Sequence, residues 1–149
     1  MKQKKTRNQS RLTIVYTTGV FDMFHMGHLN ILKRASRLGD RLIVGIQDDE
    51  SVFTHKGERP VFPYSERAAI VEALAFVDAV IPYTDTDQRP LLDLIKPDIV
   101  VQGEDWLESG NRTKAIEYLK KNHIRLVRFP YTRGISSSLI KVKTHPEGF

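Results

Sequence analysis

Tyr16-Thr17-Thr18-Gly19-Val20-Phe21-Asp22-Met23-Phe24-His25-Met26-Gly27-His28 is the stretch whose reading decides the fold. The apolar run Leu12–Tyr16 leads into it as a strand and ends in Thr17-Thr18-Gly19. Beyond the histidines, Leu29, Leu32, Ala35 and Leu38 recur at helical spacing and Gly39 closes the run, which predicts a helix over Gly27–Leu38. Strand, glycine turn, polar cluster and helix together make a phosphate site, because the turn and the first helical turn leave backbone N–H groups free and the helix N-terminus favours anions. His25 and His28, at i and i+3, share a helix face, so both imidazoles can face one ligand. Two plainer readings stand beside this one: a metal pair, or two incidental histidines. The metal pair lacks cysteines and a nearby acidic third ligand, whereas zinc takes three or four such groups.

Working outward, apolar runs and helical patterns alternate. Strands are expected at Leu12–Tyr16, Leu42–Gln47, Val77–Tyr83, Ile99–Gln102 and Leu126–Phe129, and helices at Gly27–Leu38, Ser65–Ala75, Arg89–Ile95 and Arg112–Asn122. Strands separated by helices imply right-handed crossovers, hence an α/β fold: a Rossmann-like parallel sheet with helices on both faces. Ligands of such sheets bind beyond the carboxyl ends of the strands, where strand order reverses, and the end of the first strand at Thr17–Asp22 is the natural place.

The chain has 149 residues, enough for one domain with a real core. Residues 1–11 read as a flexible basic leader and 12–149 as a single domain. The net charge of +5 is accounted for by Lys2, Lys4, Lys5, Arg7 and Arg11 in that leader. A basic tail without interleaved aromatics does not suggest a nucleic-acid partner. No apolar run approaches the ~20 residues that span a bilayer, and neither an apolar signal segment nor an amphipathic basic extension is present, so no membrane partner is expected. With no cysteine there is no disulfide or thiol chemistry, and a cytoplasmic location is expected.

Gly-Val-Phe-Asp-x-x-His-Met-Gly-His, over Gly19–His28, resembles the GxFDxxHxGH signature of the cytidylyltransferase-like nucleotidyltransferases. The likeness runs from about Thr13 to Lys141, and the glycerol-3-phosphate cytidylyltransferase branch is the nearest match. It implies the HxGH nucleotidyltransferase fold and transfer of a nucleotidyl group from a nucleoside triphosphate to a phosphorylated acceptor, with release of pyrophosphate. It also implies Mg²⁺ accompanying the triphosphate and a homodimer. By the same resemblance His25, His28 and Lys56 would be catalytic, the histidines at the α and β phosphates and Lys56 at the β and γ groups. Gly19, Val20, Phe21 and Asp22 would lie at the nucleotide, and Arg67 would fork two phosphate oxygens. Gln102-Gly103-Glu104-Asp105-Trp106 resembles the family's GDDW segment, which places Gly103, Asp105 and Trp106 at base or ribose. Tyr131-Thr132-Arg133-Gly134-Ile135-Ser136-Ser137-Ser138 resembles RTEGIST, which makes Thr132, Gly134, Ile135, Ser136 and Ser137 a second phosphate cradle at the start of the next helix. The plainer alternatives are that Lys56 is a solvated loop residue, Arg67 a surface arginine paired to Glu66 or Glu72, and Ser136 an ordinary cap.

Two departures bear on the substrate. Tyr131 stands where the family's motif opens with arginine, and Ala75 stands where its RYVDEV segment carries another. The resemblance makes transfer of CMP from CTP to glycerol 3-phosphate or a similar polyol phosphate the leading expectation, and the two departures keep a second one open. The second is an adenylyltransferase acting on a sugar phosphate with ATP, and the third a nucleotide-binding module without turnover.

Overall fold

The computed structural model describes residues 10–103 and 112–144. Five parallel strands, β1 (Ile14–Gly19), β2 (Arg41–Gln47), β3 (Ala79–Tyr83), β4 (Ile99–Gly103) and β5 (Arg125–Phe129), form one sheet in the order β3-β2-β1-β4-β5. Strand order therefore reverses between β1 and β4. Six helices connect or follow them: α1 (Met26–Ser36), α2 (Asp49–Lys56), α3 (Tyr64–Glu72), α4 (Arg89–Ile95), α5 (Arg112–Lys121) and α6 (Ser137–Thr144).

Both faces of the sheet are covered, as the Val- and Ile-rich strands require. On one face Val15, Val44, Ile46 and Val101 pack with Leu32 and Ala35 of α1 and Ala68 and Val71 of α3. On the other, Tyr16 and Val100 pack with Leu92 of α4 and Leu119 of α5. The expected α/β architecture is the one observed, with two local differences.

The first is in β1, which begins later than its apolar run and continues through the expected turn, so that Thr17, Thr18 and Gly19 pair with Val44, Gly45 and Ile46. Leu12 is half exposed outside the strand. Thr17 tolerates burial because its hydroxyl donates to the carbonyl of Val101 at 2.8 Å, bridging β1 to β4. Of the expected leader, Arg11 pairs with Asp98 at 3.1 Å, and residues 1–9 lie outside the described residues.

The second is α2, a helix with no apolar period to announce it. Its signals are polar. The Asp48 carboxylate caps the Ser51 N–H at 2.7 Å, Asp49 and Glu50 occupy the first turn, His55 and Lys56 the last, and Gly57 ends it at φ 76°. That charge order suits the helix dipole, and the left-handed terminus is one that glycine adopts without strain. Lys56 is therefore a helix C-terminal residue rather than a loop residue.

Candidate active site

The site lies where β1 ends beside β4. Between β1 and α1 the chain turns sharply, with Phe21 at φ 54° and Met23 at φ 47°, left-handed conformations that non-glycine residues hold only when their surroundings enforce them. The enforcement is visible. Phe21 is buried, and the Asp22 carboxylate accepts the N–H groups of Val61 at 2.7 Å and Phe62 at 3.0 Å. Asp22 thus fastens the segment after α2 to the end of β1 and is occupied with backbone. It nevertheless lines the cavity at the strand ends.

His25 is the N-cap of α1 rather than part of it, and His28 is the third residue inside. Each ring caps with Nδ1: the Gly27 N–H donates to Nδ1 of His25 at 3.0 Å, and the His25 N–H donates to Nδ1 of His28 at 3.3 Å. The rings stack with centroids 3.8 Å apart and planes inclined by 22°. An Nδ1 that accepts an amide proton leaves the neutral ring's own proton on Nε2. Both histidines are thereby assigned as Nε2–H donors. Nε2 of His25 is buried and has no hydrogen-bond partner among the described residues.

Burial, the neighbouring His25 and, in opposition, the carboxylate of Asp22 set the pKa of His28, which is pushed down to about 4. Burial also lowers that of His25. Phe21 and Phe24, each 5.4 Å from the His28 ring, supply much of the apolar surrounding. Near neutral pH the pair is uncharged, so it can donate hydrogen bonds to an anion but holds no spare proton to give up. Gly27 is required here: a Cβ would lie 2.8 Å from Cε1 and 2.9 Å from Nδ1 of His25.

Two cavities meet at this pair. The first, of about 860 Å³, runs along α1 and is lined by His25, His28, Thr132, Ile135, Ser136 and Ser137 together with Lys33, Arg34 and Arg37. The second, of about 430 Å³, lies at the strand ends and is lined by Gly19, Val20, Phe21, Asp22, Lys56 and Gly103, with His28 and Ser137 again. The structure therefore brings His28 to both, but separates His25 from Lys56.

The serines are partly committed to the protein. Ser136 Oγ accepts the Leu139 N–H at 3.1 Å and caps α6, and Ser137 Oγ donates to the Asp22 carbonyl at 2.8 Å, tying α6 to the turn. Thr132 Oγ1 accepts from Asn30 Nδ2 at 3.0 Å, bridging α1 to the segment before α6. Gly134 lines neither cavity; at φ 79° it shapes the approach to α6. Asp105 and Trp106 lie outside the described residues.

Arg67 is the clearest correction. It is fully buried, with Nε donating to the Phe62 carbonyl at 2.9 Å, one terminal nitrogen to the Val20 carbonyl at 2.7 Å and the other to Asp49 at 2.7 Å. Its fork holds protein rather than phosphate, and its partner is neither Glu66 nor Glu72. Burial pushes the Asp49 carboxyl up, but the Arg67 bond, the Tyr64 N–H and the charges of Arg67 and Arg59 outweigh it and leave the group below its ordinary value. The Tyr64 N–H also donates to Asp49, at 3.0 Å, at the start of α3, whose N-cap Pro63 makes no side-chain cap bond.

Sequence reasoning missed a polar ladder across the strand ends. Gln102 Nε2 donates to Thr18 Oγ1 at 3.1 Å, Thr18 also bonds Tyr83, and all three line the second cavity. Burial, opposed by the Thr18 bond and the charge of Arg67, raises the Tyr83 hydroxyl to about 12, so it stays protonated. The available signal was position: each is a polar group near the carboxyl end of an otherwise apolar strand.

A family model described as cytidylyltransferase-like matches residues 16–143. The bifunctional protein HldE of Campylobacter fetus is 35% identical over 137 residues, 91% of this chain and 29% of that protein. HldE of Koribacter versatilis is 36% identical over 140 residues, 93% of this chain and 28% of that protein. The chain thus spans less than a third of the length of these curated relatives. A lipopolysaccharide core biosynthesis protein from Thermoplasma volcanium superposes with a TM-score of 0.67 at 30% identity, covering 82% of this chain and 98% of that one. The pantoate-beta-alanine ligase of Francisella tularensis, at 16% identity and a TM-score of 0.57 over 89% of this chain and 69% of that one, shares the fold.

Proposed function

The chain belongs to the cytidylyltransferase-like family, and on that premise we propose that it transfers AMP from ATP to a phosphorylated sugar and releases pyrophosphate. The observation that carries nucleotidyl transfer is the stacked, uncharged histidine pair at the meeting of two cavities, with His25 Nε2 lacking a partner among the described residues.

An oxygen of the acceptor's phosphate attacks the α-phosphorus, a new P–O bond forms, and the bond to the bridging oxygen breaks as pyrophosphate leaves. Such chemistry needs positioning and charge stabilisation more than a covalent helper. The Nε2–H groups of His25 and His28 donate to phosphate oxygens whose charge grows in the transition state. Neutral imidazoles suit this task, because the attacking phosphate is already ionised and no base is required. Lys56, on the strand-end cavity, serves the acceptor's phosphate in this arrangement; the resemblance had given it the β and γ groups.

The sugar acceptor is favoured by the relative named for lipopolysaccharide core biosynthesis, at 30% identity over 98% of its length. ATP is favoured over CTP by Tyr131 and Ala75, which replace both arginines that the cytidylyl branch carries. CTP remains the second reading, because the family model is described as cytidylyltransferase-like and Asp105-Trp106 resembles that branch.

Mg²⁺ fits as an ion carried by the triphosphate. Among the described residues no cluster of three or more His, Cys, Asp or Glu could cage it, and Mg²⁺ commonly keeps phosphate and water ligands. When bound it would neutralise charge on the phosphate oxygens.

The test is pyrophosphate release with ATP and with CTP, each crossed with sugar phosphates and glycerol 3-phosphate. Release with ATP and a sugar phosphate is expected. Release only with CTP and glycerol 3-phosphate would move the chain to the cytidylyl reading, and nucleotide binding without release from any pair would make it a binding module.

A further inference from the structure

The strand-end cavity has two kinds of wall. Its formal charges come from the turn after β1 (Asp22), from α2 and the residues just beyond it (Lys56, Glu58, Arg59) and from α6 (Lys141). The strands contribute Thr18, Tyr83 and Gln102, none of them charged. Side chains alternate along a strand. Tyr16, Ile81 and Val100 pack on the sheet face covered by α4 and α5, so Thr18, Tyr83 and Gln102, two residues further along β1, β3 and β4, continue that face past the core. Between β1 and β3 lies β2, which carries Gly45 opposite Thr18. A Cβ there would lie 2.5 Å from the Tyr16 hydroxyl and 3.0 Å from Cγ2 of Thr18. The missing side chain leaves the space across which Thr18 meets Tyr83.

Such groups could serve only to satisfy one another. Thr18 does so, with Gln102 on one side and Tyr83 on the other. Gln102 does not. Its amide offers an oxygen and two N–H donors. The residue is 7% exposed, and among the described residues the 3.1 Å bond to Thr18 is the only hydrogen bond its side chain makes. A buried amide with capacity to spare is costly unless water or a ligand takes up the rest. Nor are the spare atoms walled in, because His25 Nε2 is the one side-chain atom among the described residues that is both sealed and unpaired. They open on the cavity that Gln102 lines. The Tyr83 hydroxyl, kept protonated by burial, likewise has capacity beyond its bond to Thr18.

Resting on the nucleotidyl-transfer reading, we propose that Gln102 and Tyr83, set in place by Thr18, read the hydroxyls of a sugar ring and so select the body of the phosphorylated acceptor. The chemistry of this face defines its ligand. A carboxamide and a phenol each donate and accept, which is the pattern a sugar hydroxyl offers in return. An apolar body would leave both unpaired. The face runs from β3 to β4 over two intervening strands, each step about 4.8 Å, a width that suits a ring with hydroxyls on several sides better than a three-carbon chain. Ring and phosphate are then held by different elements, the strands for one and Lys56 of α2 for the other.

The test is calorimetric titration of the full chain with glucose 1-phosphate, mannose 1-phosphate and galactose 1-phosphate. Inorganic phosphate and glycerol 3-phosphate are the controls that carry phosphate without the ring. Each titration is run with and without Mg²⁺ and α,β-methylene-ATP, whose carbon bridge blocks transfer. At least one hexose 1-phosphate is expected to bind about tenfold or more tightly than either control, as two or more added hydrogen bonds imply. Gln102→Leu and Tyr83→Phe should each remove about fivefold or more of that preference and leave binding of inorganic phosphate within about twofold. Thermal midpoints report folding. Gln102→Asn, which keeps the amide but shortens its reach, should lose the preference too and serves if the leucine variant does not fold. No preference for any hexose 1-phosphate in either condition would overturn the proposal. So would a preference that survives either variant, or equal weakening of sugar phosphate and inorganic phosphate. If a hexose 1-phosphate binds through this face but no nucleotide releases pyrophosphate with it, the functional reading fails and the face stands. If release occurs and its choice of acceptor ignores both variants, the face fails and the functional reading stands.

Discussion

His25 and His28 hold one another in place: the backbone N–H of the first donates to Nδ1 of the second at 3.3 Å, and their rings stack 3.8 Å apart. The cap that starts α1 and the pair that meets the ligand are therefore one structure. Each ring fastens one nitrogen to the backbone and keeps the other for chemistry.

Removing the donor shared by both cavities is expected to matter most. His28→Ala should lower kcat by roughly 10²-fold or more, the scale seen when a transition-state donor is removed. His28→Gln, which keeps an N–H donor, should recover part of that loss. Steady-state pyrophosphate release measures both, and a His28→Ala enzyme within threefold of wild type would end the catalytic assignment.

Gly27→Ala should disturb the pair without touching an imidazole. Its new methyl would sit 2.8 Å from Cε1 of His25, so the ring must leave its cap. Turnover should fall by tenfold or more at roughly constant acceptor KM, an order of magnitude set by misplacing one donor. Unchanged turnover would mean that the ring's position is unimportant.

The depressed pKa of His28 makes stability depend on pH. Its folded value is about 4 against an ordinary 6.5. Between those values the unfolded chain binds a proton that the native state refuses, so stability rises with pH through that window and His28 contributes no slope below it. The loss on going from pH 7 to pH 4.5 from this group is on the order of 1–3 kcal/mol. Urea midpoints at the two pH values measure it, and His28→Gln should flatten the difference. An identical slope in the variant would refute the assignment.

Arg67 is expected to govern folding. Arg67→Met leaves Asp49 with only the Tyr64 N–H and the carbonyls of Val20 and Phe62 without the guanidinium, at a cost on the order of 2–4 kcal/mol. Arg67→Lys should not restore it, because one ammonium cannot reach three acceptors set for a planar fork. Equilibrium urea unfolding reads both, and a variant as stable as wild type would return Arg67 to the ligand.

Lys56→Ala should raise the KM of the acceptor more than that of the nucleotide, since Lys56 lines the cavity at the strand ends and His25 does not. A selective rise in nucleotide KM would instead favour the β,γ role implied by the resemblance.

Much of the fold was legible in the sequence. Alternating Val- and Ile-rich runs and helical spacings marked all five strands and four of the six helices, because buried parallel strands and amphipathic helices each leave a period. α2 left none: Val52 is its only buried apolar side chain, and its caps and end charges stabilise it where a core-facing stripe does so elsewhere. A helix after the serines was expected, though not its extent. The histidine pair was visible, but not the reciprocal capping that sets its tautomer, since hydrogen-bond direction depends on backbone geometry. Arg67 shows the limit most clearly. Tyr64-Ser65-Glu66-Arg67 reads as an exposed helix start, and only the return of Asp49 and Val20 to the same place buries the guanidinium.

If the α-phosphorus changes hands where two cavities meet at His28, a label on that atom must follow it. The decisive experiment incubates α-³²P-labelled ATP with Mg²⁺, the chain and a sugar phosphate. Label in the sugar product, with unlabelled pyrophosphate released in equal amount, is the expected result. Label left on ADP or AMP while the sugar phosphate gains no nucleotide would contradict it.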